Sequence, residues 1–308
     1  MLQAAANAAG GQQYPAAALY VVATPIGNLA DLSLRAIHVL GLVDAVACED
    51  TRHSAPLLHQ LGISKPLLAV HEHNEHEAAS AVLARLGRGE RVAYVSDAGT
   101  PAVSDPGAAL VAAVQAAGYR TLPIPGASSS VAALSVAGDA AGGPFICVGF
   151  LPARGGERNH ALKLLTAEAR TQVLFEAPHR IEALVQAFPA ACGFRRITLC
   201  RELTKQFETI VTLPAAELPA WLATDSNRTR GEFVLVLHAL DQPAPNAAAD
   251  AHDSMLRTLL AALPLKQAVG LAAELTGARR NALYTRALAL NLPAPVDRLG
   301  ALAPPHEP

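Results

Sequence analysis

The chain is 308 residues long, enough for two domains that each bury a core of their own. Hydrophobic residues reach 51%, largely through alanine, and the net charge is −2, so no global field draws the protein to nucleic acid and any such contact must be local. The uncharged stretch from Thr121 to Gly138 is broken by Pro123, Pro125 and Gly126, which excludes a membrane span there.

Residues 1–18 carry no charged side chain, lack the basic and leucine-rich regions of a signal peptide, and read as a disordered tail. Apolar, β-branched runs then follow at Leu19–Ala23, Ala45–Cys48, Leu67–Val70, Val92–Val95 and Arg120–Ile124. They alternate with helical patterns near Leu34–Leu42, Ser54–Leu61, Glu75–Leu86, Ala108–Ala117 and Ser129–Ala137, with Asp105-Pro106 read as the N-cap and first residue of the fourth helix. This alternation predicts an α/β domain with a mostly parallel sheet. Gly142, Gly143 and Pro144 punctuate the chain, after which the pattern changes.

The second half offers strands at Phe145–Phe150, Gln172–Phe175, Ile197–Cys200, Phe207–Leu213 and Glu232–His238, and helices near Asn159–Ala169 and Arg180–Phe188. Strands following one another without a helix around Cys200 to Leu213 predict a mixed α+β sheet. Met255–Leu263, Leu265–Leu275 and Arg279–Leu290 form a small helical unit with Thr276-Gly277 as a tight break. The expected organisation is a tail (1–18), an N-terminal α/β domain (19–140), a second α+β domain (144–240), a linker (241–252), a C-terminal helical unit (253–291) and a further tail (292–308). Between His252 and Leu290, Arg257, Lys266, Arg279, Arg280 and Arg286 outnumber Asp253 and Glu274; that excess fits either a solvated appendage or a helix-turn-helix-like arm on nucleic-acid phosphate.

Three glycine- and proline-rich loops, Thr24–Asn28, Ser96–Pro101 and Pro123–Ser128, each follow a strand, where backbone can cradle a small cofactor. None matches a dinucleotide or phosphate-loop signature. Glu49-Asp50-Thr51-Arg52 lies where a helix begins and reads either as capping or as substrate-side chemistry. In His71-Glu72-His73-Asn74-Glu75 the H-x-H spacing lacks a third metal ligand, and the better reading has Glu75 capping a helix while His73 and Asn74 face a polar substrate. Arg180, in Glu176-Ala177-Pro178-His179-Arg180, either grips phosphate or pins Glu176. No serine-hydrolase or zinc-protease motif occurs, and the separated cysteines Cys48, Cys147, Cys192 and Cys200 are expected as reduced, buried thiols of a cytoplasmic protein.

Taken in order, Val22–Leu29, Glu49–Arg52, His71–Glu75, Ser96–Pro101, Glu176–Arg180 and Arg201-Glu202-Leu203-Thr204-Lys205 resemble the ribosomal RNA small subunit methyltransferase I family of the tetrapyrrole methylase superfamily, over about Leu19 to Leu290. The resemblance implies a two-domain fold holding S-adenosylmethionine between its domains, a homodimer, and methylation of the ribose 2′-hydroxyl of a cytidine in the decoding region of 16S rRNA, position 1402 in standard numbering, on the 30S subunit. Carried over by position, Pro25, Ser96, Asp97, Ala98, Gly99, Thr100, Val103, Ser128, Ser129, Leu203 and Gly231 are expected to hold the cofactor, with no metal. A ribose hydroxyl needs a proton acceptor or an orienting partner, and Asp50, Arg52, His73, Asn74, Glu75 and Glu176 are the candidates for this chemistry. His179, Arg180, Lys205, Arg279 and Arg280 are the candidate RNA contacts. Competing readings are methylation of a tetrapyrrole or a protein side chain, and a non-enzymatic RNA-binding or assembly factor; a nucleotide hydrolase lacks its phosphate-loop lysine.

Overall fold

The computed structural model of the protein describes residues 1–71, 74–141, 143–153, 155–240 and 252–290. Strands β1 (Ala18–Val22), β2 (Ala45–Cys48), β3 (Leu67–Ala69), β4 (Arg91–Val95) and β5 (Arg120–Ile124) form a parallel sheet in the order β3-β2-β4-β1-β5. The strands are apolar throughout because both faces are covered. Tyr20, Val22, Ala93 and Val95 pack with Ile37 and Leu40 of α2 (Leu34–Leu42) and Leu58 of α3 (Thr51–Gln60). Leu19, Val92 and Tyr94, pointing the other way, pack with Val82 and Leu86 of α4 (Glu75–Gly87) and Leu110 and Val114 of α5 (Ala108–Ala116). Each buried Leu, Ile or Val among them contributes roughly 2 kcal/mol.

Two expectations fail here. Residues 2–9 are not disordered: α1 (Leu2–Ala9) buries Ala5 and Ala9, and Ala5 joins the core that also holds α2. Alanine loses no side-chain entropy in a helix and allows close approach, so absence of charge was a poor sign of disorder. Nor do Asp105 and Pro106 open α5, which starts at Ala108 with Gly107 as N-cap at φ +116°. The Tyr94 ring occupies the space a Cβ at Gly107 would need, so glycine alone lets the chain turn there.

The second sheet comprises β6 (Phe145–Phe150), β7 (Thr171–Glu176), β8 (Arg196–Arg201), β9 (Thr209–Pro214) and β10 (Phe233–Leu237), ordered β6-β7-β10-β8-β9. β6 and β7 run parallel and the remaining pairs antiparallel, as the helix-free step from β8 to β9 requires. One face packs on α7 (Gly155–Ala167), α8 (Pro178–Cys192) and the unanticipated short α9 (Leu218–Ala223). The other packs on α6 (Ser129–Ala137), whose Ala133 and Ala137 meet Val173, Cys200, Val234 and Val236. Thus the helix that follows the last strand of the parallel sheet is the floor of the mixed one. Both sheets lie in one compact unit, Met1–Leu240.

The remaining unit contributes α10 (Asp253–Ala262), α11 (Leu265–Thr276) and α12 (Arg280–Leu290) around Leu256, Val269, Ala272, Leu283 and Ala287. Gly277, left-handed at φ +68°, ends α11, and Arg286 clamps Asp253 at 2.7 and 2.8 Å. Of the expected linker (241–252) only His252, and of the tail (292–308) nothing, lies within the described residues. All four cysteines are free; Cys48 and Cys200 are buried, and burial pushes the Cys200 thiol up to about 12, but Cys147 is exposed, contrary to expectation, because its strand lies at the sheet edge. Among the described residues no helix is long and apolar enough to cross a membrane.

Arg195, 5% exposed, binds no carboxylate among the described residues and instead donates to the carbonyls of Leu165, Glu168, Arg170 and His238, at 2.7 to 3.2 Å. It ties the end of α7 to β10. Arg195→Met leaves these carbonyls without their donor and is expected to lower the unfolding free energy by about 3 kcal/mol or more in urea titration; a loss under about 1 kcal/mol would contradict this role.

Candidate functional site

The loops leaving the carboxyl edge of the parallel sheet are stitched together by backbone. Thr24 and Gly99 exchange both hydrogen bonds of an antiparallel bridge, at 2.9 and 3.1 Å, and the Thr24 hydroxyl donates to the Ser96 carbonyl. Thr100 Oγ1 donates to Ala127 O at 3.0 Å, adding the loop after β5. From the mixed sheet, the β8–β9 loop descends onto Gly27, where a Cβ would stand 2.9 Å from the Leu203 carbonyl oxygen. Glycine is therefore needed for the two halves to meet. Ala102 and Ser104 flank Val103, and Glu202 and Thr204 flank Leu203, all four at φ between +54° and +65°. Such strained bends cluster where a loop must present one residue in a fixed way.

Between these loops and the second sheet lies a cavity of about 320 Å³. Of the residues expected to hold a cofactor, Ala98, Gly99, Thr100, Val103, Ser128, Ser129 and Leu203 line it. Pro25, Ser96, Asp97 and Gly231 do not. Ser96 is buried behind the loop, Asp97 is paired elsewhere, and Gly231, at φ +90°, makes room for the Glu202 side chain. Pro25 belongs to the loop that carries Gly27. Sequence reading missed Asp105, Phe150, Phe175 and Glu232. The aromatic pair, with ring centroids 5.6 Å apart, sits at the ends of β6 and β7, a position visible only once their parallel pairing is known.

The lining carries three carboxylates, Asp105, Glu176 and Glu232, and no Lys, Arg or His. The Glu176 side chain is fully buried; Oε1 accepts from Ala177 N–H at 2.9 Å and lies 2.9 Å from Arg180 Nε, off the hydrogen-bond angle, so the contact is ionic. Among the described residues Oε2 has no hydrogen-bond partner. Arg180 also donates to Leu151 O at 2.5 Å, which favours pinning Glu176 over gripping phosphate. Burial, then the charge of Glu49, pushes the Asp105 carboxyl up to about 6, against a hydrogen bond from Ser96. Lys205 bridges Glu202 and Glu232 at 2.8 and 3.0 Å and is likewise committed within the protein.

Asp50 is the N-cap of α3, accepting from Arg52 N–H at 2.7 Å and from the Arg52 guanidinium, which together hold its carboxyl down to about 2. Capping therefore accounts for both residues, and Asp50 has little affinity for a proton. Asn74, expected to face substrate, instead closes the β3–α4 turn, accepting from His71 N–H and donating to Ala69 O. His73 and the Glu75 side chain lie outside the described residues. Beside this group is a pair the sequence did not disclose: His53 Nδ1 lies 2.7 Å from Asp97 Oδ2, and Asp97 Oδ1 accepts from Asp50 N–H. His179, Arg279 and Arg280 are exposed. Among the described residues no group of three or more His, Cys, Asp or Glu is placed to hold a metal.

An acid-lined cavity between a parallel and a mixed sheet, closed by glycine loops, defines a class. The chain matches the family described as Tetrapyrrole (Corrin/Porphyrin) Methylases over residues 18–219, and a second family, the RsmI C-terminal HTH domain, over residues 246–291. A solved uroporphyrin-III C-methyltransferase from Thermus thermophilus, complexed with S-adenyl homocysteine, shares the fold at TM-score 0.51 and 19% identity, covering 71% of this chain and 96% of that one. The ribosomal RNA small subunit methyltransferase I of Pseudomonas aeruginosa is 50% identical over 89% of this chain and 97% of its own. That of Escherichia coli is 46% identical over 88% and 94%. The chain belongs to the ribosomal RNA small subunit methyltransferase I family.

The raised Asp105 carboxyl makes a pH-dependent prediction. The native state holds this proton more tightly than the unfolded chain, so its contribution to stability falls as pH rises from about 4 to about 6. At neutral pH the ionised group costs about 1–2 kcal/mol once solvent access is allowed for. Asp105→Asn is expected to be the more stable protein at pH 7, with the difference closing toward pH 4, in urea titrations at both pH values.

Proposed function

We propose that this protein transfers the methyl group of S-adenosylmethionine to the ribose 2′-hydroxyl of the decoding-region cytidine of 16S rRNA, acting on 30S subunits in the cytoplasm. Family membership supports ribosomal RNA as the acceptor class. The observation that carries the donor is the cavity charge: three carboxylates, no cation and apolar walls favour a small cationic ligand and disfavour a polyphosphate. The donor supplies an activated methyl group on a positively charged sulfur. The unpartnered Glu176 Oε2 fits it as an acceptor for a ligand N–H or O–H, and its burial makes that bond valuable.

In this reading the Gly99–Thr100 backbone with Ser128 and Ser129 holds the amino-acid end, while Leu203, Phe150 and Phe175 enclose the flat apolar end. Ionised Asp105 balances the cation, so binding of the donor is expected to tighten as pH rises through about 6. What the protein must chiefly do is align acceptor oxygen, methyl carbon and sulfur and keep water out. A homodimer is supported by the exposed apolar side chains Val131, Val136 and Phe145 on and beside α6, a patch that favours burial against a partner.

Transfer of labelled methyl to 30S subunits lacking the modification, followed by nucleoside mass spectrometry, is expected to yield 2′-O-methylcytidine. Label in a base, or none despite donor binding, would refute the assignment. In the C-terminal unit, Arg279 and Arg280 flank the start of α12 in a helix-turn-helix arrangement, which suits phosphate contact. Replacing both by Ala is expected to weaken subunit binding and to reduce the salt dependence, log K against log salt, by about 1 per arginine, with donor affinity unchanged.

A further inference from the structure

Among the described residues an imidazole–carboxylate pair, His53 and Asp97, lies at the carboxyl edge of the parallel sheet, and neither residue was considered for catalysis from sequence. His53 lies in the first turn of α3, one residue beyond Arg52. Its Nδ1 is 2.7 Å from Asp97 Oδ2, and its side chain is 64% exposed, with no protein hydrogen bond to Nε2 among the described residues. Asp97 is held in turn: Oδ1 accepts from Asp50 N–H at 3.2 Å, and its own N–H points to Glu49 Oε2 at 3.5 Å. The next residue in the chain, Ala98, lines the cavity. Asp97 therefore belongs to the loop that forms one wall of the cavity, and His53 reaches it from α3.

A carboxylate on Nδ1 fixes the tautomer with the proton on that nitrogen and leaves the Nε2 lone pair directed outward, the arrangement of an oriented general base. Asp50, Glu176 and Asp105 are poorer acceptors. Asp50 is occupied by Arg52, Glu176 is fully buried behind Arg180, and Asp105 faces the place where a cation would keep it ionised. The groups whose charges bear on His53 are Asp97 and Asp50, which favour the imidazolium, Glu49, and Arg52, which opposes it.

Building on the donor and acceptor proposed above, we propose that His53 is the general base of methyl transfer and that Asp97 is its positioning residue. The 2′-oxygen forms the new C–O bond as the methyl–sulfur bond breaks, its electron pair staying on the sulfur of the sulfonium donor, and the hydroxyl proton passes to Nε2 of His53. Neutral imidazole, neutral hydroxyl and sulfonium become imidazolium, methyl ether and neutral thioether, so charge balances. Release of the proton to solvent through the exposed ring restores the base.

The test is single-turnover methylation of 30S subunits from pH 5.5 to 9, with S-adenosylmethionine affinity measured separately by calorimetry. The unaltered protein should show a rate rising with pH through an inflection above the ordinary imidazole value, because the hydrogen bond and charge of Asp97 stabilise the imidazolium. His53→Ala and His53→Gln should each lower the rate constant by a factor of about 100 or more, leave donor affinity within about twofold, and abolish the inflection. Asp97→Asn should lower the rate less and move the inflection to lower pH. Added imidazole should restore part of the rate to His53→Ala, which a structural role would not allow. Rates of both His53 variants within about threefold of the parent, or an unchanged inflection in them, would overturn the proposal while leaving the methyltransferase reading intact. No transfer by the unaltered protein would overturn that reading, and this inference with it.

Discussion

The bridge between Thr24 and Gly99 is the constraint on which the site depends. Two loops that leave neighbouring parallel strands each place a backbone donor and acceptor opposite the other, so the crevice at the sheet edge has a fixed floor before any side chain is considered. The Thr24 and Thr100 hydroxyls extend the stitch to Ser96 and Ala127, which leaves little freedom to the strand ends around it. Gly27 extends it to the second sheet, because only a residue without Cβ admits the Leu203 carbonyl so closely. Cavity shape is thus set by main chain, and side chains supply its charge.

That charge explains a division of labour in the chain. A cavity holding Asp105, Glu176 and Glu232 without a cation repels a polyanion, and the basic residues nearest to it in sequence are spent internally, Arg180 on Glu176 and Lys205 on Glu202 and Glu232. On the proposed function, affinity for RNA phosphate comes from cations that do not line the cavity. The C-terminal helices carry such cations in Arg279 and Arg280, whereas Arg286 is held by Asp253 and contributes to the fold of that unit. A net charge near zero is consistent with this separation of an acidic pocket from a local basic surface.

Much of the architecture was legible because it rests on local periodicity. The βα alternation through Ser129–Ala137 and the helix-free step between β8 and β9 are patterns of period 3.6 and 2 that burial reads directly. Ala98, Gly99, Thr100 and Ser128, which line the cavity, were likewise visible, since small residues in glycine-rich loops after strands mark where backbone approaches a ligand, whereas Val103, Ser129 and Leu203 were expected only from the family resemblance. What escaped depends on pairings between distant segments. Phe150 and Phe175 meet only through the parallel register of β6 with β7, and His53 finds Asp97 forty-four residues away across two loops. Asp105 was misread for the opposite reason: Asp-Pro is a good local helix start, but the space beside the Tyr94 ring admits only a glycine bend, which delays the helix to Ala108 and turns Asp105 into the cavity.

The same displacement bears on how one crevice can serve both a cation and a proton acceptor. Asp105 and Asp97 come from a single loop, eight residues apart, yet the first lines the cavity and the second does not. A carboxylate inside the cavity is stabilised by a bound cation and becomes a weaker base at the moment a strong one is needed. A carboxylate outside it, hydrogen-bonded to an exposed imidazole, raises that imidazole's proton affinity and lets the proton leave to water. The left-handed bends at Ala102 and Ser104 fall between the two carboxylates in the chain, and on the proposed mechanism the loop offers charge for binding on one side and basicity for reaction on the other.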